Sequence, residues 1–194
     1  MSDITLSTRA RQVVLAAVEV LGKQGAAGLT HRAVDRQADL AEGSTSNLFR
    51  TRTALVDAIC RFLTDHDLER LDKASQRFAF ESQMTAAKAA EGLAAIIHEW
   101  TTKEAVFTAA RLELFLIAHR DPKVASELAQ VRRTFRERGI EWLERVSKGA
   151  GQHVALVMAT IEGLTSNQLL HPAARMSREE LKRELTFLLN SLTR

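Results

Sequence analysis

Residues 44–47 are a run of short polar side chains: Ser44, Thr45, Ser46 and Asn47. Hydroxyl and amide groups of this size can hydrogen-bond to base edges or phosphates, and they let a helix lie deep in the major groove of DNA. Asn47 could pair with an adenine edge through two hydrogen bonds, whereas the three hydroxyl groups could donate to or accept from several bases. The types and spacing of these side chains therefore indicate contact with a nucleic acid.

Arginines flank the polar run on both sides. Arg32 and Arg36 precede it, and Arg50 and Arg52 follow it. Guanidinium groups in these places would meet phosphates, which fixes the register of a protein on DNA without reading its sequence. The alternative is a solvated helical hairpin whose polar second helix merely faces water.

Two short helices would position these side chains. Thr30 can cap a helix over residues 30–38, and a tight turn at residues 39–41 would lead into a second helix over residues 42–49. Two short helices, of which the second is small and polar, form the pattern of a DNA-reading helix-turn-helix. Thr30 and His31, at the start of the first of them, complete the predicted set of DNA contacts.

Residues 7 to 56, which include one more helix before this pair, resemble the N-terminal domain of TetR-family transcriptional regulators. The resemblance rests on the runs VVLAAVEVLGKQGAAGLT, AVDRQADL, GSTSNLF and RTRTAL. The positions that fit the family pattern without a gap are Val34, Ala38, Leu40, Gly43, Phe49 and Arg52. Four positions depart from it: Asp35 stands where a small Ala is usual, Asp39 replaces a turn Gly, Ser46 replaces a common Tyr, and Glu42 occupies an often basic position.

Composition indicates an all-helical chain of 194 residues, because only two prolines and no Val/Ile/Thr alternation are present. The net charge of +3 is mild for a nucleic-acid binder, so DNA contact would act through a few placed arginines. Cys60 cannot form an internal disulfide and is expected to be a small packing residue; no Cys and His spacing indicates a metal site. No run approaches the roughly 18 apolar residues of a membrane span, so we expect a cytoplasmic protein without membrane contact.

Apolar periodicity predicts about nine helices. Besides the pair above, they cover residues 6–23, 53–76, 84–101, 103–119, 122–147, 152–170 and 178–193. A helix break and domain seam are expected at residues 78–85, and a plain linker at residues 149–151. The resemblance implies a helix-turn-helix DNA-binding domain over residues 1–52, joined by helix four to a helical ligand-binding and dimerisation domain over residues 53–194.

In the family, the second domain binds a small molecule. The resemblance implies that helices five to eight enclose an apolar pocket for an effector of unknown identity. Large apolar side chains and polar groups on the same faces are the candidate contacts, although each aromatic one taken singly is more often plain core. They are Trp100, Phe107, Arg111, Phe115, Trp142 and Asn167.

Helices eight and nine are apolar over a wide arc, and such helices need a partner within the chain or from another chain. The resemblance implies that they pair with their symmetry mates as a four-helix bundle. The predicted interface residues of this homodimer are Ile161, Leu164, Leu181, Leu185 and Leu188. A two-fold dimer would bind a near-palindromic operator in double-stranded DNA, with half-sites about 34–36 Å apart or a multiple of that distance.

The sequence therefore favours a DNA-binding transcriptional regulator, and the resemblance implies a repressor that a small molecule releases from its operator. The alternative is a helical protein-interaction or ligand-binding module without sequence-specific DNA binding. An enzyme is disfavoured: His66, with Asp65, Asp67 and Glu69 nearby, is expected on a solvated helix face. No phosphate loop or nucleophile elbow is present, and no catalytic residue, metal or cofactor is predicted.

Overall fold

The computed structural model describes residues 7–79 and 84–192, and this part of the chain contains nine α-helices and no strand. The helices are α1 (Thr8–Gly28), α2 (His31–Gln37), α3 (Ser44–Leu48), α4 (Arg52–Ala79), α5 (Ala86–Thr101), α6 (Ala105–Ala118), α7 (Pro122–Val146), α8 (Val154–Leu170) and α9 (Arg178–Ser191). Short 3-10 helices cover Ala150–His153 and Pro172–Ala174. The predicted all-helical fold is confirmed.

Local signals placed several helix ends correctly. The side chain of Thr30 accepts a hydrogen bond from the Ala33 amide and caps α2, as predicted. Asp39 has a φ of 53°, the left-handed conformation that Asp tolerates better than most residues. Ser177 and Glu180 form the predicted capping box at the start of α9.

Other boundaries differ from the prediction for reasons of backbone conformation. Gly25 has a φ of 68°, but helical structure resumes after it, so α1 runs on to Gly28. Gly43 has a φ of 92°, a left-handed conformation, and forms the N-cap, so α3 begins at Ser44 rather than at residue 42. Helix α4 continues through Phe78 to Ala79, where a break was expected, and residues 80–83 of that predicted seam lie outside the described residues.

The predicted linker at residues 149–151 is partly wrong. Ala150 and Gly151 are buried and belong to a 3-10 helix. The carboxylate of Glu144 accepts hydrogen bonds from the Gly149 and Gly151 amides, at 2.9 Å each. These bonds fold the segment back onto the end of α7.

The described residues form two compact units, and the first consists of residues 7–69 together with Val106–Leu128. Its apolar core combines α1, α2, α4, α6 and the start of α7, and includes Leu21, Leu29, Val34, Leu55, Ile59, Ala110, Leu114 and Val124. Cys60 is buried in this core, as predicted, and burial raises the pKa of its thiol to about 12.

Close contacts hold α1 against α6 within this unit. A Cβ on Gly22 would collide with the backbone carbonyl of Val106. The carboxylate of Glu113 accepts a hydrogen bond of 3.0 Å from the Ala26 amide, beside the irregular Gly25. Residues far along the chain therefore belong to the same unit as the predicted helix-turn-helix.

The second unit consists of residues 70–105 and 129–192, so far as the structure describes them. Helix α5 packs along α9 and α8. The core they share includes Met84, Ala90, Ala94, Ile97, Leu143, Val154, Leu181, Leu185 and Leu189. None of the helices, over the residues described, is long and apolar enough to cross a membrane.

Candidate nucleic-acid interface

The buried carboxylate of Asp35 holds the start of α3. Oδ2 accepts a hydrogen bond from the Gly43 amide at 2.8 Å, and Oδ1 accepts from the Thr45 amide at 2.7 Å and from the Thr45 hydroxyl at 2.6 Å. The first amides of a helix have no partner within it, and the N-cap residue of α3 is Gly43, which has no side chain to offer. Asp35, a residue of α2, supplies the missing acceptor.

Asp35 is only 3% exposed. Burial alone would raise the pKa of this carboxyl, but the hydrogen bonds from the Thr45 side chain, the Thr45 amide and the Gly43 amide outweigh it and hold the pKa below the ordinary value. A negative charge at a helix N-terminus is also favoured by the helix dipole. The departure from the family pattern at Asp35 is thus a structural cap.

Further hydrogen bonds fix α3 at both ends. The Ser44 hydroxyl donates to the Ala41 carbonyl at 2.7 Å, and the Arg9 guanidinium donates to the Ser44 hydroxyl at 3.2 Å. At the other end, Nε2 of His31 lies 2.7 Å from the Phe49 carbonyl oxygen. A helix of five residues has too few internal bonds to be stable alone, so these contacts determine its orientation.

The four polar residues of α3 differ in what they present to solvent. Thr45 is fully buried and Ser44 is 8% exposed, and the hydroxyls of both are engaged within the fold. Asn47 is exposed and Ser46 is half-buried, with its hydroxyl donating to the Gly43 carbonyl at 3.0 Å. Asn47 is therefore the side chain of this run best placed to meet a base.

Leu48 is 39% exposed, and nothing in the sequence pattern had marked it as a candidate contact. Its neighbour Asn47 is the exposed polar residue of the same short helix. An apolar side chain can contact the methyl group of thymine in the major groove. The signal that could have marked Leu48 as a candidate contact is its place at the end of the polar run.

The four arginines predicted to contact phosphate differ in whether their side chains already have a partner within the protein. Arg36 and Arg50 are exposed, and no ion pair is seen for either among the described residues. Arg32 is also exposed, but its Nε lies 2.9 Å from a carboxylate oxygen of Glu42. Arg52 donates a hydrogen bond of 2.8 Å to the Ala26 carbonyl.

Three of the predicted DNA contacts line one surface depression of about 210 Å³. They are Thr30, His31 and Arg52, and the apolar floor consists of Leu29 and Leu55. The threonine hydroxyl accepts from the Ala33 amide as the cap of α2. The depression is therefore formed where α2 and α4 begin.

The six predicted ligand contacts are divided between the two units. Phe107, Arg111 and Phe115 lie in the first unit, whereas Trp100, Trp142 and Asn167 lie in the second. A second depression of about 420 Å³ includes none of the six; it is lined by Met84, Thr85, Glu144, Arg145, Val146, Ser147 and Lys148. Phe115 is 49% exposed, and Asn167 is exposed.

Arg111 pairs with Asp67 inside the first unit, and its Nε donates to Oδ2 at 2.8 Å. The side chains of this pair are 16% and 17% exposed. Phe107 packs against His66, with 5.4 Å between the ring centroids. The expected solvated face is therefore only partly correct: Asp65 and Glu69 are exposed, whereas His66 and Asp67 are half-buried against α6.

The predicted dimer residues differ in burial. Leu181 and Leu185 are 0% and 1% exposed, because both pack into the core of the second unit. Neither is available to another chain in this structure. Ile161, Leu164 and Leu188 are half-buried.

Large apolar side chains that remain at the surface of α8 and α9 are Leu156, Leu170 and Phe187, which are 52%, 66% and 75% exposed. Sequence periodicity located the apolar helices. It did not separate the face that packs on α5 from the face that stays open.

Residues 84–191 match the family model of the tetracyclin repressor-like C-terminal domain. The fold is similar to that of a transcriptional regulator from Rhodococcus sp. Rha1, with 20% identity over 96% of both chains and a TM-score of 0.79. It is also similar to a TetR-family member from Streptomyces coelicolor A3, with 24% identity over 97% of this chain and 99% of that chain and a TM-score of 0.70.

The multidrug binding protein EbrR, complexed with ethidium, shares 23% identity over 96% of this chain and 99% of its own, with a TM-score of 0.63. No curated protein sequence matches the chain significantly. The structural likenesses show the fold, and the family model covers more than half of the sequence. The chain belongs to the TetR family of transcriptional regulators.

Proposed function

We propose that the chain is a sequence-specific DNA-binding repressor that works as a homodimer and is released from its operator by a small molecule. The observation that carries the proposal is the fixed orientation of α3, which Asp35 caps from inside and which presents Asn47 outward. Membership of the TetR family agrees with this role.

The geometry of α3 supports a reading function. Recognition helices contact base edges mainly through their N-terminal residues and rest on phosphates at their edges. Here the helix is held by hydrogen bonds at both ends, so little conformational freedom is lost on binding. Arg36 precedes α3 in the chain and Arg50 follows it; both are exposed and are the proposed phosphate contacts.

Dimerisation is proposed through the open faces of α8 and α9. Phe187 and Leu170 expose most of their side chains there, and apolar surface of this kind is favourably covered by a second copy. Ile161, Leu164 and Leu188 remain in the proposed interface, whereas Leu181 and Leu185 do not. Two linked heads would bind one near-palindromic site far more tightly than either head alone.

The effector is proposed to bind in the second unit, which contains Trp100, Trp142 and Asn167 of the predicted ligand contacts. EbrR, which has the same fold, is found complexed with ethidium and with imidazole. An effector can weaken operator binding only by as much as it prefers one conformation of the protein, and the effect is reciprocal. The proposed repressor function requires no catalytic step. We also propose that the protein is cytoplasmic.

One observation favours the alternative, a helical module without sequence-specific DNA binding. Glu42 brings a negative charge next to α3 and pairs with Arg32, so one predicted phosphate contact is already engaged. Selection of bound fragments from a random duplex library at moderate salt distinguishes the two functions. A recovered near-palindrome supports the repressor, and recovery of nothing above background supports the module.

The Asn47→Ala variant tests whether α3 reads bases. We expect the variant to bind the selected site more weakly by roughly 1–3 kcal/mol and to tolerate more base changes at one position. The control is Gln152→Ala, which removes an exposed side-chain amide of the second unit away from the proposed contacts and should leave the affinity for DNA unchanged. Unaltered base preference in Asn47→Ala would remove this residue from the reading set.

A further inference from the structure

Glu42 directly precedes Gly43, the N-cap residue of α3, and its carboxylate contacts a residue of α2. Oε1 of Glu42 lies 2.9 Å from Nε of Arg32. Both side chains are strongly exposed, at 69% for Glu42 and 76% for Arg32. The pair therefore lies at the solvent-facing N-terminal end of α3.

The fold does not need this pair. An exposed ion pair contributes only about 0–1 kcal/mol to stability. A carboxylate at the start of a helix could serve as its cap, but Asp35 already accepts the hydrogen bonds of the Gly43 and Thr45 amides. Glu42 thus contributes little to stability, and its main effect must be sought in what approaches this surface.

The N-terminal end of a recognition helix is the end that approaches base edges and the neighbouring phosphates. A guanidinium there attracts a phosphate, whereas a carboxylate repels it. In the free protein the two charges of Arg32 and Glu42 compensate each other. Arg36 and Arg50 differ, because no carboxylate pairs with either among the described residues.

We propose that Glu42 competes with DNA phosphate for Arg32 and thereby lowers the affinity of the protein for duplex DNA of any sequence. The inference rests on the proposed DNA-binding function. A phosphate that reaches Arg32 must first displace the carboxylate of Glu42. The contact between Arg32 and the phosphate therefore adds little to the free energy of DNA binding. Sequence-independent binding derives from neutralised phosphates, and it weakens with every phosphate that stays without a cationic partner. Glu42 thus reduces retention on non-operator DNA.

The test is a salt titration of binding to a duplex of arbitrary sequence. The variants are Glu42→Gln, Arg32→Ala and the double variant, all at exposed positions. The control is Glu91→Gln in the second unit, where Glu91 forms an exposed pair of 3.0 Å with Lys182. It removes the same charge and the same kind of ion pair away from α3.

Glu42→Gln should bind non-operator DNA roughly fivefold more tightly near 0.1 M salt, with a slope of log affinity against log salt steeper by about 0.9 for each bound head. The gain should disappear when Arg32 is also replaced, and Glu91→Gln should bind like the unmodified protein. An equal gain without Arg32 would overturn competition in favour of plain charge repulsion. Unchanged or weaker binding by Glu42→Gln would overturn the proposal outright.

The same titration separates this proposal from the function on which it rests. If the unmodified protein binds duplex DNA with a clear salt dependence and Glu42→Gln does not differ from it, only the role of Glu42 fails. If neither protein binds at the lowest salt, the DNA-binding function itself fails, and the role of Glu42 fails with it.

Discussion

Helices α3 and α9 begin in contrasting ways, although a carboxylate caps each of them. At α9, Glu180 lies in the helix it caps: its Oε2 accepts from the Ser177 amide at 2.7 Å, and the Ser177 hydroxyl accepts from the Glu180 amide at 3.2 Å. At α3, the carboxylate belongs to Asp35 of the preceding helix, eight residues before Gly43 and ten before Thr45. The first cap is exposed and local, whereas the second is buried and joins two helices.

The two caps differ because the two helices bury different kinds of side chain. Helix α9 has 14 residues and buries Leu181, Leu185 and Leu189 as a continuous stripe. Apolar packing therefore holds this helix in place, and its cap stabilises only the first turn. Helix α3 has five residues, and it buries only the polar Ser44 and Thr45. Directional hydrogen bonds replace apolar burial in α3, which leaves its outer face free for polar contacts.

The largest effect is expected from Asp35→Ala. This change leaves two amides and the Thr45 hydroxyl without their acceptor in a buried place, which destabilises the first unit by about 1–3 kcal/mol. Denaturant unfolding measures the loss, and operator binding should fall with it because α3 loses its anchor. Thr45→Val removes only one donor and should cost less, and an Asp35→Ala variant as stable as the unmodified protein would contradict the buried cap.

A smaller effect is expected from Ser177→Ala at α9. Removal of an N-cap hydroxyl costs about 1 kcal/mol. The loss should appear in unfolding of the second unit, while DNA affinity per folded dimer stays the same. A change in operator affinity would show that the two caps are not independent.

The smallest effect is expected from acid acting on the cap of α3. Hydrogen bonding holds the pKa of Asp35 below its ordinary 3.8 despite burial, so its contribution is fully present above that value and is lost as pH falls through the lower, folded pKa. The stability difference between the unmodified protein and Asp35→Asn should therefore be constant above pH 3.8 and shrink below it. Unfolding free energies at a series of pH values measure this, and a difference that grows in acid would contradict it.

The features that could be predicted from the sequence are those formed by residues close together in the chain. The caps at Thr30 and Ser177 and the positive φ of Asp39 depend on residues within a few positions, so they can be recognised from neighbouring residues alone. The cap from Asp35 and the pair between Glu42 and Arg32 join residues of different elements, and their partners are known only when the turn between α2 and α3 is seen.

The helical domain shows the same limit for apolar residues. Periodicity identified α9 as apolar over a wide arc, and both Leu185 and Phe187 fit that description. Leu185 is 1% exposed and Phe187 is 75% exposed, because α5 covers only one side of the helix. The side that a neighbour covers depends on tertiary packing, which spacing along one helix does not encode.

The composition of the first unit also has a consequence for synthesis. Ala110, Leu114 and Val124 belong to its core, and Glu113 bonds to the Ala26 amide, yet the N-terminal part of the unit ends at Glu69. At about 5–20 residues per second, a ribosome needs roughly 3–12 s to extend the chain from Glu69 to Leu128. During that interval α1, α2 and α4 lack the residues of α6 and α7 that complete their apolar core, so the first unit can finish folding only after residues 70–105 of the second unit have been synthesised.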